Sequence, residues 1–300
     1  MTVRALAVAH VSESPRVAAA RPAWQWLRRS PLAFIGGVVL LLVVLAAIAA
    51  PQIAPHDPAR QSLVRRYVPP AGFTGARAEH PFGTDQIGRD VLSRIIHGAR
   101  ISLLVGVCAV VLSSLFGVTL GLVSGFFEGR VDTVIMTVVD IMLSFPALLL
   151  ALAFAAALGP SLTTVILVLG LTGWERYARV VRAEVLALRE RDFVEAARAM
   201  GARAARIVLR HILPNTLSSV IVLATLQVAQ AILAEAALSF LGVGTGKAYP
   251  TWGQMIAQGR DVVTIAWWLP TLPGLAILVT VLSINLVGDQ LRDALDPHVR

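Results

Sequence analysis

The sequence predicts an all-α integral membrane protein with six transmembrane helices. Of 300 residues, 56% are hydrophobic and 15% charged, with a mean hydropathy of +0.74. Soluble domains carry about 25% charged residues, and a soluble chain of this length would still need a polar skin. The apolar residues gather in uncharged stretches long enough to cross a bilayer. The charges, in turn, clump at the ends of those stretches instead of alternating through them.

Residues 1–31 form a basic, Ala-rich lead-in, with Arg4, Arg16, Arg21, Arg28 and Arg29 against one acid, Glu13. It ends in an interfacial pair, Trp24 and Trp26. The apolar run that follows is too long and starts too late for a signal-peptide core. Residues 32–50 give the first span and 101–127 the second, bounded by Arg100 and Glu128. Residues 133–174 are too long for one span, and Gly159-Pro160 divides them into a third and a fourth. Residues 216–241 give the fifth and 262–288 the sixth. Pro146, Pro270 and Pro273 predict kinks. Gly117, Gly121 and Gly125 recur every four residues and predict a close helix–helix approach, with no indication of the partner.

An even count of spans puts both termini on one side. With that side as the cytoplasm, the inner segments hold 17 of the 26 basic residues and the outer loops nine, as positive-inside retention requires. This also accounts for the net charge of +8: the Arg residues lack the aromatic interleaving of a nucleic-acid surface, so nucleic acid is excluded as a partner. Cys108, the single cysteine, makes neither an intrachain disulfide nor a Cys-based metal site.

Chemistry-bearing motifs are sparse. Gly242-Val243-Gly244-Thr245-Gly246-Lys247 has Leu241 and Ala248 where a nucleotide loop needs Gly and Ser or Thr. No His/Asp/Glu cluster has metal spacing and no Ser/His/acid set stands out, so the expectation is no catalytic residue, no metal and no cofactor. Asp140 and Glu235 are the acids inside expected spans, where ionisable groups mark candidate functional positions. Glu235, near the outer end of span five, is the candidate pathway residue; Asp140 is placed to pair with an Arg at the cytoplasmic edge. Arg176, Arg179 and Arg182, at i, i+3 and i+6, read as snorkelling cations.

The long cytoplasmic segment, residues 175–215, is helical in composition and has room for two short helices outside the membrane. Ala197, Gly201 and Ala205, at i, i+4 and i+8, would form one smooth helical stripe for a partner's groove, with Phe193 and Val194 as apolar knobs beside it. Gly201 could equally end a first helix as its left-handed terminator.

Glu195-Ala196-Ala197, followed by Gly201 and a segment closing in Leu213-Pro214, resembles the EAA motif of ABC-importer permeases. That pattern normally has Ile ten residues after the Gly, where this chain has His211, with Ile212 next. His80-Pro81-Phe82-Gly83-Thr84-Asp85-Gln86-Ile87-Gly88-Arg89-Asp90, Ala236–Gly242 and Gly288–Pro297 narrow the resemblance to the C-type permease subunits of dipeptide, oligopeptide and nickel importers, over residues 29–297. The resemblance implies a type I ABC-importer core over 100–289, with coupling loop 175–215. An additional N-terminal helix and extracytoplasmic loop occupy 32–99, and a cytoplasmic tail 290–300. It also implies that Phe193, Glu195, Ala196, Ala197, Gly201, Leu213 and Pro214 dock an ATPase. The implied partners are a second homologous permease, two ATP-binding subunits that hold the ATP and Mg, an extracytoplasmic substrate-binding protein and the lipid bilayer. The alternative is a stand-alone secondary transporter driven by an ion gradient, which would want inverted repeats and buried coupling charges.

Overall fold

The structure is a computed structural model and describes residues 31–246 and 249–295. The lead-in with Trp24 and Trp26, Lys247 and the closing Asp296-Pro297 lie outside the described residues.

Among the described residues there is no strand; one isolated bridge joins Thr84 and Asp90. Helix α1 (Pro31–Ile48) is apolar on all sides and lays Gly36 against Leu286 of the last helix. Residues 54–90 then fold into a compact loop. Its knot is Asp85, buried, which accepts hydrogen bonds from the Ile87 and Arg89 amides at 3.0 and 2.9 Å and from the Arg89 and Arg94 guanidiniums at 2.6 and 2.5 Å. Both guanidiniums also donate to Gln258, at 3.1 and 2.9 Å. Gly83 and Gly88 have φ of +77° and +76°, and a Cβ there would stand 2.4 Å from the Val68 carbonyl and 1.9 Å from that of Ser62. The Gly-Thr-Asp-Gln-Ile-Gly-Arg motif is thus a folding knot that closes the loop onto two helices.

Asp90 caps α2 (Val91–Phe127), its carboxylate accepting from the Ser93 amide at 2.8 Å. At 37 residues and ~1.5 Å per residue, α2 is longer than the ~30 Å hydrocarbon core. It begins ten residues before the expected second span, running across the expected boundary at 99/100. Next come α3 (Gly129–Ser144) and α4 (Ala147–Leu158), bent 89° from each other. Pro146 causes the break: Phe145 before it is extended (ψ 141°), because proline's ring disfavours helical backbone in the preceding residue. The expected third span is therefore an L-shaped pair.

Gly159, with φ +83°, ends α4, and Ser161 caps α5 (Leu162–Leu171) through the Thr164 amide at 3.0 Å. The division at Gly159-Pro160 is where the sequence placed it. In place of one continuous fourth span, α5 is ten residues long and passes through Thr172-Gly173 into α6 (Trp174–Leu188). A one-turn helix, Ala204–Ile207, continues through a π turn, Val208–Ile212, into α8 (Leu213–Phe240). Before it lies α7 (Asp192–Ala199) and after it α9 (Trp252–Gly259). The last helix is α10 (Trp268–Leu295). Among the described residues, α1, α2, Ala204–Phe240 and α10 are each long and apolar enough to cross a membrane, and the α3–α4 pair makes a fifth. Pro273 lies inside α10. Pro270 is in its first turn, where the missing N–H breaks no helical bond.

The glycine stripe of α2 receives α6. A Cβ on Gly117, Gly121 or Gly125 would stand 2.2 Å from the Trp174 carbonyl, 2.7 Å from the Ala178 carbonyl or 2.7 Å from Val185 Cβ. Residues 175–188 are therefore half of a helix pair with α2, a correction to their reading as part of a segment of two short helices standing apart from the bundle. Arg176 and Arg179 are exposed, away from the buried Tyr177, Ala178, Val181 and Val185, while Glu175 is buried with them.

Candidate coupling surface and transport cavity

Helix α7 is presented by its surroundings. Arg189, just after α6, pairs with Glu128 at 2.6 Å and Glu190 at 3.0 Å, tying the end of α6 to the α2–α3 turn. Its hydrogen bond to Glu128 raises the Arg189 pKa above its ordinary value. Asp192 and Glu195 occupy the first turn of α7 and Arg198 the last, each on the side the helix dipole favours. Arg198 also lies over the Phe126 ring, 5.8 Å from its centroid.

Val194 and Ala197 are fully buried in a cluster with Tyr177, Val181, Val185, Ile207 and Ile212. That cluster runs on into α2 through Leu122 and Val110. The opposite side of α7 is open: Glu195 and Ala196 are exposed, Phe193 is 42% and Met200 81% exposed. A rigid helix end, fixed to the bundle by one side, thus offers two large apolar groups beside an acid on the other.

Gly201 ends the helix. Its φ is +75°, its amide donates to the Arg198 carbonyl at 2.9 Å and the Ala202 amide donates to Ala197 at 3.0 Å, the paired bonds of a Schellman terminator. The alternative of one stripe through Ala197, Gly201 and Ala205 is overturned: the helix stops at Met200, Ala197 faces inward, and Gly201 and Ala205 are exposed beyond the turn. Nothing lies within 4 Å of where a Gly201 Cβ would be. Leu213 and Pro214 sit in the first turn of α8, Leu213 against the core cluster and Pro214 exposed. They belong to the root of the long helix, so the expected second short helix is one turn plus the π turn. A π turn accommodates one extra residue, and Ile212 is fully buried while His211 is half-buried. This shift accounts for His211 standing where the motif expects Ile.

Helices α2, α4, α5, α6 and α8 line a half-open cavity of about 350 Å³. Its walls are apolar (Ala109, Leu148, Ala234 and others) apart from Ser113, Thr172, Arg176, Gln227 and Gln230. Arg176 donates to Gln227 at 3.0 Å. The Arg row does more than snorkel: Arg182 forms a two-pronged pair with Asp132 at 2.5 and 2.6 Å, and Arg179 pairs with Asp140. Glu235 contributes no wall to this cavity. It is fully buried, accepts from Ser239 at 2.7 Å, and faces Ser102 across the α2–α8 contact at 3.5 Å. The cavity cation, Arg176, was legible only as one member of a charged row.

Residues 117–300 match the model of the binding-protein-dependent transport system inner membrane component. The chain belongs to that family. Residues 20–70 of this permease also match the N-terminal TM domain of oligopeptide transport permease C, the segment holding α1. It is 46% identical over 290 residues to a putative peptide transport system permease protein of Brucella suis, covering 97% of this chain and 94% of that one. It is 45% identical to a di/tripeptide transport system permease protein of Pseudomonas aeruginosa, covering 92% and 91%. The inward-facing MetNI methionine ABC transporter has a chain of like fold, with a TM-score of 0.56 at 21% identity, covering 68% of this permease and 96% of that chain. The architecture is therefore that of an ABC-importer permease with an additional N-terminal helix.

Proposed function

We propose that this permease carries di- or oligopeptides inward, pairing with a second homologous permease above two ATP-binding subunits and fed by an extracytoplasmic binding protein. ATP and Mg belong to the ATP-binding subunits, and the permease itself catalyses nothing. Helix α7 is the coupling element: Phe193, Glu195, Ala196 and Met200 meet the ATPase, Val194 and Ala197 pass its motion to α2 and α6, and Gly201 sets the turn. The observation that carries this is a helix with one side locked into the bundle core and the other offering exposed apolar side chains. Peptide as substrate is supported by the relatives above and by the cavity, whose Arg176 suits a carboxylate while Gln227 and Gln230 suit peptide groups. The termini and α7 lie in the cytoplasm and residues 51–90 outside.

Reconstitution with these partners in proteoliposomes tests the proposal. Uptake of a labelled dipeptide should require ATP and persist when ionophores collapse ion gradients. Uptake that follows an imposed ion gradient without ATP would establish the secondary-transporter reading instead.

A further inference from the structure

The loop over residues 54–90 brings together three side chains that sequence spacing kept apart: His56, His80 and Asp90. One ligand atom from each lies within 4.8 Å of the other two. Asp90 Oδ1 is 2.9 Å from His80 Nδ1 and 3.9 Å from His56 Nδ1. The two rings lie against each other, centroids 4.7 Å apart. His80 and Asp90 are buried, at 5% and 1% side-chain exposure, and His56 is at 25%.

We propose that His56, His80 and Asp90 form a binding site for a divalent transition-metal cation, zinc being the best match. A tetrahedral zinc with bonds of ~2.0–2.1 Å needs neighbouring ligand atoms ~3.3 Å apart, and the two distances from Asp90 Oδ1 bracket that value. The carboxylate is aimed by its surroundings: Oδ2 is taken up by the Ser93 amide and hydroxyl at 2.8 and 2.7 Å, leaving Oδ1 toward the imidazoles. Ser93 also accepts the His56 amide at 3.0 Å, fixing the backbone of the third ligand. This is the outer-shell support that metal ligands require.

A second observation points to a ligand. His56 Nδ1, one of the three ligand atoms, is buried and makes no hydrogen bond among the described residues. Buried imidazole nitrogens ordinarily find partners. A cavity of about 390 Å³ opens onto the cluster, lined also by Ser62, Gly88 and Glu79. It supplies an entry path and room for water in the fourth position. Arg65 on its rim pairs with Glu79. Two nitrogens and one oxygen suit zinc and disfavour Mg²⁺ or Ca²⁺, which take oxygen ligands. Binding through His80 Nδ1 would replace its hydrogen bond to Asp90, the neutral ring carrying its proton on Nε2 instead. Occupancy would clamp the chain after α1 onto the first turn of α2, beside the knot at Asp85.

The test uses the full-length permease, purified in detergent, stripped with chelator and titrated with Zn²⁺ against a colorimetric competitor. One ion per chain is expected, unaffected by millimolar Mg²⁺. His56→Gln and Asp90→Asn should each weaken binding at least tenfold; the Asn keeps an oxygen for the helix cap, and His56 is exposed enough to change without loss of folding. X-ray absorption on the wild type should show imidazole scattering with N/O ligands at ~2.0 Å. Zinc affinity equal in the wild type and a His56→Gln/His80→Gln variant, or no imidazole signature, overturns the proposal and leaves a hydrogen-bonded helix cap.

Discussion

Gly201 and Glu235 separate two jobs a single residue can do in this permease. At φ +75° with open space around its Cα, Gly201 supplies a backbone conformation. An L-residue there costs ~1–2 kcal/mol in strain, while Asn tolerates it best among non-glycines. Gly201→Leu should therefore melt earlier than Gly201→Asn in detergent and lose uptake, with Asn close to wild type. Equal loss of uptake in both would mean that Gly201 contributes something other than its turn. Glu235 was expected near the pathway because a carboxylate in a span is costly. Its hydrogen bond to Ser239 and its burial between helices make it an internal brace. Sequence could not distinguish these roles, because both need an acid at the same depth.

Among the elements, the α2–α6 pair is held by shape. Gly121→Val would place a Cβ 2.7 Å from the Ala178 carbonyl and 2.9 Å from Val181 Cβ, with backbone on one side that cannot yield. Overpacking of this kind costs ~1–3 kcal/mol. The variant should melt earlier and express less, whereas Gly274→Ala, with nothing within 4 Å, should behave as wild type. Similar melting for both would refute the account of the stripe. The four-residue period announced a close crossing but could not name α6. That helix was hidden because its Glu and Arg residues broke the apolar run, although Arg176 and Arg179 lie exposed, away from Val181 and Val185. The bend at Pro146 was legible as a kink, while its size depends on Phe145 turning extended. The π turn left only a one-residue offset at His211 as its trace.

The molecule as a whole must be oriented and driven. With Cys108→Ala as background, a cysteine at Ala78 should react with an impermeant maleimide in cells with a permeable outer layer. One at Ala199, in permease expressed without ATPase partners, should react only after the membrane is opened; both positions are exposed. The opposite pattern would invert the topology. The central claim is that energy enters through α7, and Phe193→Asp tests it most directly. Phe193 is 42% exposed and lies outside the buried cluster, so the chain should express and melt as wild type. An aromatic anchor at an interface contributes ~2 kcal/mol or more, and ~1.4 kcal/mol is tenfold in affinity. In the reconstituted complex, ATPase association and ATP-driven dipeptide uptake should both fall at least tenfold. Unchanged association and uptake, at unchanged expression, would contradict α7 as the coupling element.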